Sequence, residues 1–381
     1  MRPGAHKGVD YVAGEFGPES RVDTRRLQLR WFDHYLLGMD NGVDREPSVD
    51  LFVFGDNAWR KESAWPLARA VRTNWYLTSA GRANTSAGDG VLDTVPPNAG
   101  ATDPSAAAVD TFTYDPANPT PYLIDSRELE TSLNEDFTSL NATRRDALVF
   151  TSKPLAKAME VTGQMSATLW AATDAKDTDW NVMLLDVFPD GHAERVQDGV
   201  ARARFRRGFQ KEVPLTPGSV ERYDIDLWFT SRVFEPGHRI RVTASSALFP
   251  KYDRNLNTGG NNERDSTFVV GHQRLVHDAA HPSHLRLPIV PRNCREAGDG
   301  RRGETENPRD AARSDKSIPR VSASSSSPVS RLPSPATYKC GPLRRSIERL
   351  AHQDDEVGHR LHRQERYERR GGDHAPTYVR R

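Results

Sequence analysis

Three histidines near the end of the ordered-looking part of the sequence have a spacing that could bind a metal ion. They are four and three residues apart, and an aspartate, Asp278, follows the first: His277, His281 and His284. On a helix this spacing would place the three imidazoles on one face, where they could act as zinc ligands. Pro282 and the strand-like runs around it argue against a helix here. The segment therefore predicts a loop and a strand rather than a metal site.

Three aspartates offer the oxygen ligands that calcium prefers, Asp177, Asp179 and Asp186. Their spacing does not match the twelve-residue loop of an EF-hand, in which the ligands recur at fixed positions. The run Asp177-Thr178-Asp179 instead predicts a turn that precedes a strand. These acids are therefore interpreted as part of the scaffold.

Aromatic residues and one polar loop give two further candidates. Trp59, Trp65 and Trp75 could form a flat platform for a sugar, but neighbouring aromatic residues favour a place in the core or in an interface. Residues 253–259 form a polar, loop-like segment flanked by aromatic residues. Loops on a rigid β scaffold often carry function, so a substrate-shaping role stays open beside the favoured structural or interdomain role.

Composition excludes several classes of protein. The 381 residues carry 53 Lys and Arg against 52 Asp and Glu, so the net charge of +1 gives no case for a nucleic-acid partner. No window approaches the roughly 18 uninterrupted apolar residues of a membrane helix, so no membrane partner is expected. No secretory signal is visible, which favours a cytoplasmic location. Cys294 and Cys340 are the only cysteines, which excludes a disulfide framework before them.

The near-zero net charge hides two unlike regions. Residues 292–381 carry 20 Lys and Arg against 13 Asp and Glu, whereas acids are in excess over residues 1–291. The later region has few large apolar side chains and a serine-rich run at 322–328, so it is predicted to be a disordered basic tail. Nonspecific nucleic-acid binding by this tail and read-through of a shifted reading frame are the two alternatives. The abrupt break in composition favours the second.

The periodicity predicts one helix followed by many strands. Apolar residues recur at helical spacing between Asp23, a suitable N-cap, and Gly38, a suitable stop, which predicts a helix over residues 24–37. After it the period becomes that of strands. Many short runs separated by Gly, Pro, Asp and Asn predict a mainly β fold, a β-sandwich or jelly roll. The runs are 49–54, 73–77, 109–114, 147–151, 159–161, 165–171, 180–188, 200–205, 222–229, 240–245, 268–277 and 285–289.

Longer motifs occur in an order that resembles one protein family. The most specific is F-E-P-G-H-R-I-R-V at 234–242, which continues to F-P-K-Y-D-R-N-L-N-T-G at 249–259. The other matching stretches are 29–42, 88–97, 114–121, 146–155, 177–180, 186–191 and 277–285. Over about residues 3–291 the chain resembles the C-terminal half of the cocaine esterase and Xaa-Pro dipeptidyl-peptidase family of bacterial serine hydrolases.

This resemblance implies an architecture and a chemistry. Family members have an α/β-hydrolase domain followed by a C-terminal jelly roll, and they cleave esters or amides through an acyl-serine intermediate without a cofactor or metal. Residues 1–42 would then be the end of the hydrolase domain, 43–291 a galactose-binding-like jelly roll, and 292–381 the tail. The complete enzyme would take a small-molecule ester or peptide substrate.

The resemblance supplies one member of the Ser-His-Asp triad. His6 matches the family base, although Gly4 and Lys7 replace the Trp and the second Gly of the family motif. No G-x-S-x-G nucleophile elbow is present, because neither Ser79 nor Ser219 has a glycine on both sides at the required spacing.

The catalytic serine and aspartate are therefore expected outside this chain, before its first residue. A chain of this kind should have little activity alone, and it should self-associate through the face that normally contacts the hydrolase domain. The alternative is a noncatalytic β-sandwich module that binds carbohydrate or protein.

Overall fold

The computed structural model describes residues 16, 20, 22–97, 109–122 and 136–292. These residues form two α-helices and thirteen strands, which confirms the predicted mainly β fold class. The helices are α1 Thr24–Leu37 and α2 Thr138–Thr143. The strands are β1 Val49–Val53, β2 Ala58–Glu62, β3 Val71–Thr78, β4 Val91–Asp93, β5 Val109–Tyr114, β6 Ala147–Thr151, β7 Met159–Thr173, β8 Asp179–Val187, β9 Ala193–Arg202, β10 Glu221–Phe234, β11 Arg239–Ser245, β12 Gly271–Val276 and β13 His284–Val290.

Helix α1 has the bounds and the caps that the sequence predicts. The Asp23 carboxylate accepts a hydrogen bond from the Arg26 backbone N–H at 3.0 Å, which satisfies one of the free donors of the first turn. At the other end Gly38 adopts a left-handed conformation with φ of 69°. Within the part of the chain that the structure describes, no helix is long and apolar enough to span a membrane.

The main sheet winds from one edge strand to the other in the order β5-β12-β7-β13-β3-β4-β6-β11-β8-β9. Strand β10 pairs with the remaining side of β7, and the hairpin β1–β2 forms a separate small sheet. Strand β7 is fifteen residues long, so it pairs with both β13 and β12 along one side. The two predicted runs at 159–161 and 165–171 belong to this single strand. The predicted run at 200–205 is misplaced, because β9 ends at Arg202 and a 3₁₀ turn, Ala203–Phe205, follows.

The main apolar core joins the two ends of this long sheet, as expected for a sandwich. Trp180 of β8 is completely buried in it. Its ring lies 6.2 Å from that of Phe112 on β5 and 5.7 Å from that of Tyr223 on β10. Strands that lie far apart in the sheet order therefore pack face to face, which is the jelly-roll arrangement.

A second, smaller core covers the opposite face of β8. Met183, Leu185 and Val187 point away from the sandwich interior and pack with Phe137 and Leu248. All nine residues of β8 are consequently buried. Strand β8 thus has one face in each core, although it lies next to the end of the sheet.

Strands β9 and β10 approach each other closely where β10 is irregular. The pairing of β10 with β7 shifts register between Asp226 and Phe229. At that point a Cβ atom placed on Gly199 of β9 would lie 2.1 Å from the Asp226 carbonyl oxygen. Only glycine therefore allows β9 and β10 to approach each other this closely at position 199.

We expect Gly199→Ala to destabilise the fold by about 3 kcal/mol or more, because the new methyl group meets backbone that cannot move alone. Gly218→Ala is the matched control. Gly218 has a positive φ of 81° and open space around it, so that variant measures the conformational cost of about 1 kcal/mol by itself. Chemical denaturation of both variants checks the difference. Equal losses for the two variants would contradict a steric role for Gly199.

Candidate interdomain surface and buried polar sites

Helix α1 carries a large apolar surface that nothing in the described chain covers. None of the residues of α1 is buried, and the exposed fractions of its large apolar residues range from 51% at Trp31 to 73% at Leu36. We call this set the α1 apolar surface: Leu27, Leu29, Trp31, Phe32, Tyr35, Leu36 and Leu37. Exposed apolar clusters of this kind usually mark a surface that binds another protein or domain.

Polar contacts fix the middle of α1 while leaving the apolar surface free. The Arg30 guanidinium contacts the Glu46 carboxylate and donates to the Asn41 carbonyl oxygen at 3.0 Å. The Asn41 side-chain amide donates back to the Arg30 carbonyl oxygen at 2.6 Å. Such exposed contacts stabilise little by themselves, and an isolated helix of fourteen residues is marginal in water. The helix therefore needs a packing partner on its apolar side.

Phe16, one of the few described residues before α1, contacts the sandwich. The Phe16 ring lies 5.0 Å from that of Phe54 and 6.3 Å from that of Phe52, edge to face in both cases. Phe54 in turn is bridged to Arg232 of β10. Residue 16 thus lies on the sandwich beside the β1–β2 hairpin.

We expect the α1 apolar surface to cause self-association and dye binding. The double variant Trp31→Glu/Leu36→Glu should reduce both, while leaving the free energy of unfolding within about 0.5 kcal/mol because these side chains are exposed. Light scattering over a concentration series and fluorescence of a hydrophobic dye are the measurements. Phe209→Glu is the control, since Phe209 is an 89% exposed apolar residue outside α1. A monomeric wild-type chain that binds no dye would contradict the expectation.

A serine, an aspartate and a histidine meet inside the fold, and the sequence analysis did not predict this contact. The Ser79 hydroxyl donates to Asp110 Oδ2, and His277 Nε2 lies 2.9 Å from the same oxygen. The other carboxylate oxygen of Asp110 accepts the Ala83 backbone N–H at 2.9 Å. Asp110 and His277 are almost completely buried. The signal available in the sequence was the alternation of β5, which places Asp110 on the inner face with Phe112.

The geometry of this cluster is not that of a catalytic triad. In a triad the imidazole uses one nitrogen toward the serine and the other toward the acid. Here His277 Nε2 faces both groups and lies 3.3 Å from Ser79 Oγ. The serine hydroxyl donates its hydrogen bond directly to the aspartate instead of to the imidazole. The cluster satisfies a buried carboxylate, so its role is structural.

The same hydrogen bonds make Asp110 a pH-dependent stabilising group. Burial opposes ionisation, but donors from His277, Ser79 and Ala83 outweigh it and hold the pKa of Asp110 below its ordinary value. The ionised form therefore contributes stability above the unfolded-state pKa of about 4, and this contribution is lost as the pH falls through the lower folded-state pKa.

We expect Asp110→Asn to lower the free energy of unfolding by about 2–4 kcal/mol at pH 7, because an amide cannot accept all three donors. The difference from wild type should shrink as the pH falls below about 4, where the wild-type carboxylate also becomes protonated. Urea unfolding at several pH values measures this. Asp50→Asn, at an exposed position, is the control and should cost less than about 0.5 kcal/mol. A pH-independent difference would contradict the assignment.

The three aspartates considered as calcium ligands form buried ion pairs with arginines. Asp177 pairs with Arg204 at 2.7 Å and Asp179 with Arg202 at 3.0 Å. Asp186 of β8 contacts Arg232 of β10 and His238. Asp177 does precede β8, where the sequence predicts a turn, but its main role is to neutralise a buried guanidinium.

The polar loop 253–259 is attached to the same ion pairs. The Asn255 side-chain amide donates to Asp177 at 2.7 Å and to Asp179 at 2.8 Å. The Tyr114 hydroxyl donates to the Asn255 carbonyl oxygen at 2.9 Å. Asn255 and Asn257 are buried, which agrees with the favoured structural role of this loop.

The three histidines considered as metal ligands have separate partners. His277 contacts Asp110, His281 Nδ1 lies 3.0 Å from Asp278, and His284 Nδ1 lies 2.7 Å from the Pro282 carbonyl oxygen. Burial lowers the pKa of His284. Across the described residues, no three His, Cys, Asp or Glu side chains come together as a metal site would require.

The three tryptophans considered as a sugar platform pack against different partners. The Trp59 ring packs on Phe52, the Trp65 ring packs on Phe229, and Trp75 packs against the main core. Trp75 thus has the favoured place against the core, whereas Trp59 is 40% exposed and belongs to neither core. His6, the candidate base, lies outside the described residues, as do both cysteines and the predicted tail after residue 292.

Comparison with known proteins supplies the context for this geometry. A family model described as the X-Pro dipeptidyl-peptidase C-terminal non-catalytic domain matches residues 41–286. Over 274 residues the chain is 39% identical to a cocaine esterase from Rhodococcus sp. (strain MB1 Bresler), covering 71% of this chain and 46% of that protein.

Solved structures give the same result. An aminopeptidase from a marine sediment Thaumarchaeota archaeon superposes with a TM-score of 0.60 at 30% identity, covering 70% of this chain and 44% of that one. An α-amino acid ester hydrolase superposes with a TM-score of 0.60 at 29% identity, covering 70% of this chain and 45% of that one. The chain thus spans less than half the length of each of these relatives.

Proposed function

Since the chain belongs to the X-Pro dipeptidyl-peptidase C-terminal non-catalytic domain family and is 39% identical to a cocaine esterase over 274 residues, we propose that it holds the noncatalytic sandwich of a serine hydrolase, preceded by the end of the catalytic domain. In this proposal an α/β-hydrolase domain outside these 381 residues supplies the nucleophilic serine and the acid. His6 would be the general base contributed from this chain. The reaction would be hydrolysis of an ester or peptide bond through an acyl-serine intermediate.

The α1 apolar surface is the observation that carries this proposal. It is a cluster of large apolar side chains that the described residues leave exposed, on a helix tied to them through Arg30 and Asn41, and this supports a packing partner outside the described residues. The family resemblance implies that α1 would be the last helix of a hydrolase domain. The end of such a domain would pack on the rest of it through this surface.

The buried Ser79–Asp110–His277 cluster does not provide an alternative catalytic centre. Its imidazole uses one nitrogen for both partners, and its carboxylate is closed off by three donors. The function assigned to the sandwich is therefore to stabilise and shape an active site that is formed mainly by another domain.

We expect the chain alone to leave p-nitrophenyl esters and Xaa-Pro anilides uncleaved, because a base without its nucleophile cannot form an acyl-enzyme. It should, however, bind the separately produced hydrolase half of the Rhodococcus cocaine esterase. Trp31→Glu/Leu36→Glu should weaken this binding at least tenfold, and Phe209→Glu should not. Isothermal titration measures the binding, and a fluorophosphonate probe tests for an activated serine.

Three outcomes would overturn the proposal, and the first is that the hydrolase half does not bind the chain at all. Labelling of one serine of the isolated chain by the probe would show that it contains its own nucleophile. Binding of the hydrolase half that is unaffected by the α1 double variant would show that α1 is not the docking surface.

A further inference from the structure

Arg241 places a cation beside an apolar cluster. It lies on β11 within the F-E-P-G-H-R-I-R-V motif, between Thr151 of β6 and Leu185 of β8. Cross-strand partners in antiparallel sheets project their side chains to the same face. Leu185 is completely buried in the second core. The Arg241 guanidinium therefore borders that core.

The charge of Arg241 has no counter-ion among the described residues. The residue is only 8% exposed, and its one side-chain hydrogen bond to a described residue runs from Nε to the Thr151 hydroxyl at 2.9 Å. The neighbouring charge is another cation, Arg239. Burial, followed by the repulsion from Arg239, lowers the pKa of Arg241 to about 10.

Other buried arginines of the sandwich differ from Arg241 in this respect. Arg204 pairs with Asp177, and Arg206 pairs with Glu221 at 3.0 Å. A buried guanidinium without a counter-ion costs several kcal/mol, so proteins rarely keep one unless something neutralises it. Arg241 is thus the exception that requires an explanation.

We propose that Arg241 is the binding site for a carboxylate that approaches β11 on the face that borders the second core. Its Nε is occupied by Thr151, so the two terminal nitrogens are free to take both oxygens of a carboxylate. Arg239 is exposed and donates to the Ser152 carbonyl oxygen at 3.2 Å. Of the two arginines, only Arg241 therefore contributes a buried positive charge. A monovalent anion with a small apolar body matches that charge and the apolar surroundings.

Two sources outside this chain can supply the carboxylate. It is either an acidic side chain on the hydrolase domain, which rests on the proposed function, or a free small carboxylate. The chemistry of recognition is the same in both cases. Acetate is therefore a suitable probe of the site in the isolated full chain.

The first experiment compares acetate with chloride at equal ionic strength. Acetate should raise the Tm of the wild-type chain, and magnetisation should transfer from the protein to the acetate methyl group. Both effects should disappear in Arg241→Gln and persist in Arg239→Gln. In chloride, Arg241→Gln should be at least as stable as wild type, because it removes an unpaired buried charge. Arg241→Lys keeps the charge without the paired donors and should bind acetate more weakly.

The second experiment identifies the source, using the hydrolase half of the Rhodococcus esterase. If Arg241→Gln weakens binding of that half at least tenfold and acetate competes, the carboxylate is a side chain of the hydrolase domain. If only acetate binding is lost, the ligand is a free carboxylate. If the halves do not associate, the proposed function fails while the acetate result still decides this site. The inference is overturned if acetate acts like chloride on wild type, or if Arg241→Gln still binds acetate.

Discussion

Complete burial of β8 is the constraint on which the rest of the sandwich depends. Trp180 and its alternating neighbours fill the main core, while Met183 and Leu185 fill the second one. A strand with an apolar core on each face cannot shift its register by one residue without exchanging the two sets. The position of β8 therefore fixes β11 on one side and β9 on the other.

This burial also decides how the charges of the sandwich are arranged. Asp179 and Asp186 belong to β8 and have no access to water, so each must have a cationic partner. Arginines of neighbouring strands supply it, Arg202 for the first and Arg232 for the second. The loop that contains Asn255 closes over the same pairs. Residues that looked like a calcium site and a substrate loop are thus parts of one buried polar network.

Two features of the described chain are not satisfied in this way. The α1 apolar surface exposes large side chains to water, and Arg241 buries a charge without a counter-ion. The α1 apolar surface lacks apolar contacts and Arg241 lacks an anion, so the two features require different partners. In a molecule that otherwise pairs its buried charges, both features indicate contacts with groups that these residues do not themselves supply.

Local sequence determined the helix, most of the strands and the family. The cap residues Asp23 and Gly38 act on the backbone next to them, and strand alternation is a property of consecutive residues, so both could be recognised in advance. Family membership followed from motifs such as the one at 234–242. Short or polar elements such as β2, β4 and α2 were missed because their residues lack a clear period, and the two strands are defined only by pairing with distant residues.

Tertiary structure alone decided which distant residues meet. Ser79, Asp110 and His277 come together because β5 and β12 are neighbours in the sheet, although nearly two hundred residues separate the first from the last. Arg241 looks like any other strand arginine until the second core is placed beside it. Such relations depend on strand order and burial, which set the local dielectric and the available partners, and neither is encoded in the spacing of residues along one strand.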